Sequence, residues 1–277
     1  MSNSPQPPPF SSCKKSIRDE VKWLCFDVDD TLTTGGLLPE VAVKALYDAH
    51  RKGLHLMAVT GRSLAWAEML LRLFPLDAAV GETGAAIFMK REGGRVELLH
   101  SEPDEDKRRA NNRKRQLAAD EVLKKIPAAR LATDNMGRVY DTAFDLIEDG
   151  PLVEEVDAAR IREILSKHGL EVAQSSVHIN AWFGSFDKAA MVDRFFESEF
   201  SSSLDEQAPQ LVYVGDSKND GSMFCRTPLS VGVANVALHL PALAKLNQAP
   251  AYVVTERGGE GFAQVVEALP IANKADR

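Results

Sequence analysis

Short apolar runs alternate with longer amphipathic stretches along the chain as far as Gly84. The runs at residues 21–26 and 54–59 are almost continuously apolar, which is typical of strands buried on both faces of a sheet. A helical pattern follows each run, from about Pro39 to just before Gly53 after the first and over 64–74 after the second. This order of strand, helix, strand and helix predicts a parallel sheet.

The alternation breaks after Gly84 and resumes at Lys188. The middle region starts with two apolar runs around Arg-Glu-Gly-Gly, which is typical of a β-hairpin. Its predicted elements are this hairpin over 86–99, helices over about 104–126 and 153–168, and strands over about 129–147 and 177–183. The last region returns to the first rhythm, with a helix from Lys188, strands at 211–214, 229–233 and 251–254, and a helix near 261–269.

These patterns predict an α/β fold in which a Rossmann-like parallel-sheet core is interrupted by an inserted α+β cap domain. We assign residues 19–88 and 186–277 to the core and residues 89–185 to the cap. Residues 1–18 are rich in Pro and Ser and show no periodicity, so we expect a flexible N-terminal tail.

Composition narrows the class of protein. The chain has 277 residues, of which 44% are hydrophobic and 26% charged, as expected for a soluble globular enzyme. Its net charge of −7 argues against a nucleic-acid partner, and the basic run at 107–115 is flanked by acids, which favours a solvated helix face. No apolar stretch approaches the roughly 20 residues that span a bilayer. We therefore expect neither a nucleic-acid nor a membrane partner.

The N-terminal residues and the cysteines indicate the cellular compartment of the protein. The first residues lack the apolar core of a signal peptide, and the three cysteines form neither a CxxC pair nor a regular framework. These features favour a reducing compartment and predict a cytoplasmic protein.

Four polar clusters follow predicted strands or open the helix after the cap. In open parallel sheets, ligands bind beyond the carboxyl ends of the strands. The clusters are Asp27 and Asp29 after the first strand, Thr60-Gly61-Arg62 after the second, Lys188 at the start of a helix, and Asp216 to Asp220 after the strand at 211–214. Alone, an acidic loop, a glycine turn or a lysine is more often structural. The combination of all four clusters in one predicted sheet indicates a catalytic site.

The residue types fit phosphoryl chemistry. One of two neighbouring carboxylates can attack phosphorus while the other exchanges a proton with the leaving group and with water. A hydroxyl and a free backbone N–H suit phosphate oxygens, and a lysine ammonium neutralises their charge. Clustered carboxylate and amide oxygens suit Mg²⁺.

At these four motifs the sequence resembles the haloacid dehalogenase superfamily of phosphohydrolases. The matching segments are DVDDT at 27–31, Thr60 in VTGR, Lys188, and GDSKND at 215–220, in the order of that family. A cap between the second and third motifs is similar to the C2B-capped, Cof-type branch, which includes sugar-phosphate phosphatases and phosphomannomutases. The chain departs from the family with Asp30 where Gly is frequent, Thr83 where an "NGA" turn has Asn, and Ala189 after the motif lysine.

The resemblance implies a role for each motif residue. Asp27 would be the nucleophile that forms an aspartyl-phosphate, and Asp29 the general acid/base. Mg²⁺ would be held by the side chains of Asp27 and Asp216 and by the backbone carbonyl of Asp29, with Asp220 completing the metal site.

The same resemblance implies the phosphate-binding residues. Thr60, Gly61 and Lys188 would hold the phosphoryl group, and Thr60 and Lys188 would also belong to the catalytic set. Asn219 would complete the phosphate contacts or the water shell of the metal.

The predicted strand at 177–183 has a period of two. His178, Asn180 and Trp182 therefore point away from the apolar residues between them. If this face covers the catalytic site, its polar groups and aromatic ring suit a sugar or a similar polyol. The alternative is an ordinary half-exposed strand.

Taken together, the sequence predicts a phosphoric monoester hydrolase. We expect an Mg²⁺-dependent phosphatase whose partner is a small-molecule phosphate ester, with a sugar phosphate as the expected substrate. A phosphomutase would use the same catalytic residues with a second phosphate site in the cap, where Arg138 is one of several arginines. A non-catalytic sugar-phosphate sensor is a third alternative, although no catalytic position is missing.

Overall fold

The computed structural model describes residues 6–175 and 177–271. Its strands are β1 (Trp23–Phe26), β2 (His55–Val59), β3 (Ala78–Gly81), β4 (Ala86–Lys90), β5 (Val96–His100), β6 (Asp141–Asp145), β7 (Glu171–Gln174), β8 (His178–Trp182), β9 (Leu211–Gly215), β10 (Leu229–Gly232) and β11 (Tyr252–Val253). Its α-helices are α1 (Lys15–Arg18), α2 (Glu40–Arg51), α3 (Leu64–Leu73), α4 (Glu105–Lys125), α5 (Glu155–Lys167), α6 (Lys188–Phe200), α7 (Leu204–Gln207), α8 (Gly221–Arg226), α9 (Leu240–Lys245) and α10 (Gly258–Ala268). No helix within the described residues is both long enough and apolar enough to cross a membrane.

The central sheet has the strand order β11-β10-β9-β1-β2-β3-β4-β5. Neighbouring strands from β11 to β3 are parallel, as the sequence predicts, and β1 lies among them with β2 on one side and β9 on the other. The register pairs Phe26 with both Ala58 and Val214. The loops after β1, β2 and β9 therefore leave the sheet at the same edge, and this edge carries the predicted site.

Helices cover both faces of the central sheet. Leu24 and Phe26 of β1 pack into one apolar layer with α2, α3 and α10. Trp23 and Cys25 point into the opposite layer with α6 and α8. Because β1 is covered on both sides, all four of its residues are buried, which explains its continuous apolar sequence.

The cap is built on an antiparallel sheet in the order β6-β8-β7. One face of this sheet packs against α4 and α5, where Phe144, Ile161 and Ile179 are fully buried. The other face, with Asn180 at its middle strand, points towards the strand ends of the central sheet. The cap therefore lies over the catalytic edge.

The structure corrects the core–cap boundary predicted at residue 89. The predicted hairpin is present, but β4 pairs antiparallel with β3, and β5 with β4, so both strands extend the central sheet to His100. The chain reverses at Glu82 to Gly84, where the backbone is left-handed, and this reversal carries β4 back along β3. Sequence pattern identifies a hairpin but not the sheet that it joins.

The structure also corrects the tail predicted over residues 1–18. Phe10 is buried and packs edge-on against Tyr252, with ring centroids 5.8 Å apart. The backbone N–H of Val253 donates to the Pro8 carbonyl, and Arg18 donates to the carbonyl of Ala268. This segment therefore packs along the edge of the sheet at β11. One aromatic residue among Pro and Ser gives no periodic signal, and residues 1–5 of the predicted tail lie outside the described residues.

Candidate active site

Asp27 lies directly after β1 and is 2% exposed. Its backbone N–H donates to the Val214 carbonyl across the sheet, and its Oδ1 accepts a hydrogen bond of 2.6 Å from the Lys188 Nζ. Burial raises the pKa of Asp27 to about 8, although Lys188 acts to lower it. The carboxylate is therefore a poorly solvated group that needs nearby cations to stay ionised at neutral pH.

Lys188 is the first residue of α6, and its side chain is completely buried. Its Nζ bridges the Asp27 Oδ1 at 2.6 Å and the Asp220 Oδ1 at 2.7 Å. Burial lowers the pKa of Lys188, but the carboxylates of Asp220 and Asp27 outweigh burial and raise it. Lys188 therefore carries its positive charge directly beside the predicted nucleophile.

Asp220 organises the loop after β9. Its Oδ1 accepts from Lys188 and from the hydroxyl of Tyr213, the latter at 2.5 Å. Its Oδ2 accepts from the backbone N–H groups of Asp216 and Ser217, both at 3.0 Å. Both oxygens are thus occupied by donors. Sequence analysis did not identify Tyr213, because a tyrosine within a buried strand follows the pattern of an ordinary core residue.

The residues predicted to bind the metal form one cluster. Side-chain oxygens of Asp27, Asp216 and Asp220 lie within 4.8 Å of one another. Clustered carboxylate oxygens are the ligands that Mg²⁺ prefers in proteins. Burial, together with Asp220 and Asp27, raises the pKa of Asp216 well above its ordinary range. The donor set fits a divalent cation, with Asp27 and Asp216 as the carboxylates not fully occupied by hydrogen-bond donors.

Asp29 lies apart from this carboxylate cluster. Its two oxygens accept hydrogen bonds of 2.7–3.0 Å from the Nε and Nη2 of Arg62. The same guanidinium donates to Glu148 of the cap, whose Oε2 lies 3.2 Å from the His178 Nε2. The close contact with the His178 imidazole and the pairing with Arg62 lower the pKa of Glu148 to about 2. Arg62, which sequence analysis treated only as part of a motif, therefore connects the predicted acid/base to the cap.

The turn after β2 is held from both domains. Thr60 is fully buried, and its Oγ1 accepts from the Arg62 backbone N–H at 3.0 Å. The Gly61 carbonyl accepts from Arg138 at 2.9 Å and from the Asn180 Nδ2 at 3.3 Å, and both donors belong to the cap. The cap thus fixes the backbone of the predicted phosphate-binding turn.

Arg138 is fully engaged in this contact. Its buried guanidinium donates to both oxygens of Asp141 and to both oxygens of Asp134, as well as to Gly61. Asp134 in turn accepts from the backbone N–H of Ser63. All three nitrogens of the Arg138 guanidinium thus have acceptors within the chain, so this arginine is already committed to the contact between cap and core.

Glu82 forms a second contact between the core and the cap. Its carboxylate accepts hydrogen bonds of 2.6–2.9 Å from the backbone N–H groups of Val139, Tyr140 and Asp141. Burial, followed by the charge of Asp141, raises the pKa of Glu82 to about 7. This contact holds the chain that leads into β6 against the turn between β3 and β4.

The three predicted cap residues share the face of β8 that is turned away from the cap core. Asn180 reaches the site, since its Nδ2 donates to Gly61 and to Asp141. His178 contacts Glu148 rather than the site itself. Trp182 stacks on Phe186, with ring centroids 5.4 Å apart, so one face of its indole is already covered. The period-two prediction for this strand agrees with the structure, whereas contact of these residues with a substrate stays a prediction.

Asn219 lies next to the catalytic groups. Its Oδ1 accepts from the Ser217 hydroxyl at 2.8 Å and lies 3.5 Å from the Lys188 Nζ. The Nδ2 of the same Asn219 amide lies close to Gly61. The structure therefore brings Asp27, Thr60, Gly61, Lys188 and Asn219 to one edge of the sheet, while their catalytic roles stay predictions.

Comparison with known proteins agrees with this geometry. A profile of haloacid dehalogenase-like hydrolases matches residues 24–109. A solved structure from Thermoplasma acidophilum matches with a TM-score of 0.67 and 21% identity, over 90% of this chain and 98% of its own. The sucrose-phosphatase of Synechocystis sp. PCC6803, solved with sucrose and phosphate, matches with a TM-score of 0.61 and 15% identity, over 89% of this chain and 97% of its own. A sugar phosphatase of subclass IIB matches with a TM-score of 0.58 and 18% identity, over 89% and 98%.

The parallel core, the inserted cap and the motif residues at the strand ends define a capped α/β fold with a candidate active site at the edge of the sheet. Residues 24–109 resemble the haloacid dehalogenase-like hydrolases, in agreement with the motifs, and the solved structures share the fold of the whole chain. The predicted fold class is confirmed. The predicted enzyme class agrees with the match of residues 24–109 to a family of hydrolases.

Proposed function

We propose that this chain is an Mg²⁺-dependent phosphatase that hydrolyses a small phosphorylated metabolite, in particular a sugar phosphate, through an aspartyl-phosphate on Asp27. The observation that carries this proposal is the buried contact between Lys188 and Asp27 at 2.6 Å, beside the carboxylate of Asp216. A buried carboxylate held by a cation on one oxygen keeps its second oxygen for attack.

The residues support a two-step reaction. An oxygen of Asp27 attacks phosphorus, the bond from phosphorus to the leaving oxygen breaks, and Asp29 gives that oxygen a proton. Asp29 then removes a proton from water, whose oxygen attacks phosphorus and breaks the bond to Asp27. Lys188 offsets the negative charge that builds up on the phosphoryl oxygens. Bound Mg²⁺ would supply further positive charge and orient the phosphoryl group.

Two features favour a polyol ester over other phosphate esters. The cap closes the catalytic edge with polar groups such as Asn180, whose buried position suits hydrogen bonds to hydroxyls. Two structures of the same fold are described as a sucrose-phosphatase and a sugar phosphatase. The phosphomutase alternative loses support because Arg138 is fully occupied by Asp134, Asp141 and Gly61.

A screen for released phosphate tests the proposal. We expect turnover of at least one member of a panel of hexose phosphates, sucrose 6-phosphate, glycerol 3-phosphate and phosphoglycolate in the presence of Mg²⁺. Asp27→Asn should abolish this turnover while the melting temperature stays near that of the native protein, because an amide does not attack phosphorus. An Asp27→Asn protein that keeps more than a few per cent of the activity excludes the nucleophile role. Absence of phosphate release from every ester, p-nitrophenyl phosphate included, excludes the phosphatase.

A further inference from the structure

Tyr213 lies in the middle of β9, and its side chain is completely buried. Its neighbours Val212 and Val214 point into one apolar layer of the core, while Tyr213 points into the opposite layer. There its ring packs edge-on against Phe224 of α8, with ring centroids 5.7 Å apart. A phenylalanine would fill this position without a buried polar group that needs a partner. Packing alone therefore does not account for the hydroxyl.

The hydroxyl of Tyr213 is a hydrogen-bond donor to the catalytic edge. It donates to the Asp220 Oδ1 at 2.5 Å. Burial, followed by the charges of Asp220 and Asp27, raises the pKa of Tyr213 well above its ordinary range, so the phenol keeps its proton. The same hydroxyl oxygen lies 3.5 Å from the Lys188 Nζ, which is long for a hydrogen bond. The proton of Tyr213 is thus committed to Asp220.

The carboxylate of Asp220 is fully occupied because of this donor. Its Oδ1 accepts from Tyr213 and Lys188, and its Oδ2 accepts from the backbone N–H groups of Asp216 and Ser217. A carboxylate offers about four sites for hydrogen-bond donors. Asp220 therefore lies in the cluster that suits a divalent cation, but its charge is already shared among donors of the chain.

The position of Lys188 depends on the same oxygen. Two of the three N–H groups of the ammonium bind the Asp27 Oδ1 at 2.6 Å and the Asp220 Oδ1 at 2.7 Å. The other contacts of Nζ, with the Tyr213 hydroxyl and the Asn219 Oδ1, are both 3.5 Å long. The third N–H is therefore weakly engaged and is the one that the proposed reaction leaves for a phosphoryl oxygen. Where Nζ lies follows from where the Asp220 Oδ1 is held.

We propose that Tyr213 is a positioning residue whose hydroxyl holds the Asp220 Oδ1 in place for Lys188 and weakens the attraction of Asp220 for a metal ion. This proposal rests on the proposed phosphatase function and adds a residue that does not touch the substrate. Without the hydroxyl, Oδ1 loses one of its two donors, and the carboxylate draws Nζ away from Asp27. The same loss leaves more unshielded negative charge beside Asp27 and Asp216, which attracts a divalent cation more strongly.

Tyr213→Phe removes the hydroxyl and keeps the ring in its apolar layer. We expect kcat to fall about tenfold, with KM within about threefold of the native value, because the nucleophile and its lysine are misplaced. The loss should be the same for the best polyol ester of the panel above and for p-nitrophenyl phosphate, since Tyr213 does not contact the leaving group. The Mg²⁺ concentration that gives half of the maximal rise in melting temperature should fall by about threefold.

Tyr140→Phe is the matched control. Tyr140 is also buried, and its hydroxyl also has one close side-chain partner, the Nδ1 of His100 at 2.6 Å. This pair lies outside the catalytic cluster. The variant should lose comparable stability, while its kcat and its Mg²⁺ midpoint should both stay within about twofold of the native values.

A double-mutant cycle tests whether Tyr213 acts through Asp220. Asp220→Asn removes the charge that Tyr213 and Lys188 share. In that background, Tyr213→Phe should change the Mg²⁺ midpoint by less than about 1.5-fold, because the oxygen that the hydroxyl held is already altered. The midpoint is measured without turnover, so a weakly active background does not obscure it.

The outcomes are separable from those of the phosphatase proposal. A kcat of Tyr213→Phe within about twofold of native, an unchanged or higher Mg²⁺ midpoint, an equal effect of Tyr140→Phe, or full additivity in the cycle would each overturn the role of Tyr213. Loss of cooperative unfolding in Tyr213→Phe would make the hydroxyl a requirement of the core and overturn the role as well. These results would still leave an active native phosphatase. Failure of the native protein to cleave any ester overturns the phosphatase, and this role with it.

Discussion

Arg62 donates hydrogen bonds of 2.7–3.0 Å from its Nε and Nη2 to the carboxylate of Asp29. The planar guanidinium fixes the plane of the carboxylate while its other edge contacts Glu148 of the cap. A general acid must be oriented towards the leaving oxygen to give it a proton. The closed cap and the orientation of Asp29 are therefore coupled through one side chain.

The first prediction concerns this coupling. Arg62→Lys keeps the positive charge but loses the fork that holds both Asp29 and Glu148, so we expect kcat to fall by about 10–100-fold. Steady-state kinetics with the best ester measure the change. Arg72→Lys is the matched control, because Arg72 lies exposed on α3, the helix that follows Arg62, and its guanidinium pairs with Glu68. Equal activity of the two variants would show that Arg62 does not orient the acid.

The second prediction concerns the metal. Because Asp27 and Asp216 are buried close together, a divalent cation should relieve their repulsion and raise the melting temperature even without substrate. Activity should require Mg²⁺ and disappear on chelation, with Ca²⁺ a poor substitute because it favours more ligands in looser geometry.

Asp216→Asn should lose most of the thermal shift produced by Mg²⁺. Asp205→Asn, at a surface ion pair with Arg226, should keep it. Full activity of the native protein in metal-free buffer would contradict the metal site.

The third prediction concerns pH and the contact between cap and core. Burial raises the pKa of Glu82 from 4.5 to about 7 in the folded protein. The folded state therefore binds a proton more tightly than the unfolded state, and stability falls as pH rises from about 4.5 to 7. The contribution of this one group is on the order of 3 kcal/mol across that window.

Chemical unfolding at several pH values measures this effect. Glu82→Gln replaces the carboxyl by an amide that does not titrate and that resembles the neutral acid in shape. Its unfolding free energy should therefore fall less steeply between pH 5 and 7 than that of the native protein. Glu163→Gln, at an exposed pair with Lys167, should follow the native slope. Identical slopes for all three proteins would show that Glu82 does not titrate in this range.

The fourth prediction concerns the face of β8 that is turned away from the cap core. Asn180→Ala should reduce kcat/KM for the best polyol ester about tenfold more than for p-nitrophenyl phosphate, because a buried acceptor is lost. Trp182→Ala should show a smaller selective effect, since Phe186 covers one face of the indole. Arg160→Ala, at an exposed pair with Asp157 on α5, is the cap control. Melting curves must accompany the kinetics, and equal losses on both esters would make this face structural.

The sequence by itself determined the catalytic edge. Buried strands in a parallel sheet must be continuously apolar, and the polar residues that end them must lie together, since parallel strands end at the same edge. Asp27, Thr60 and Asp216 were predictable for this reason, and the register that pairs Phe26 with Ala58 and Val214 agrees with it. The period of two in β8 likewise placed Asn180 opposite the cap core.

Only the tertiary structure decided the contacts between segments distant in sequence. The link from Asp29 through Arg62 to Glu148 joins three separate regions of the chain, and no local pattern encodes such a pairing. The same holds for Tyr213, whose hydroxyl meets Asp220 inside the core. Hydrophobic periodicity reports which face of an element is buried, and not which partner covers it. The backbone reversal at Glu82 to Gly84 and the contact of Glu82 with the cap likewise join segments far apart in the sequence, and they exist only once the two domains have packed together.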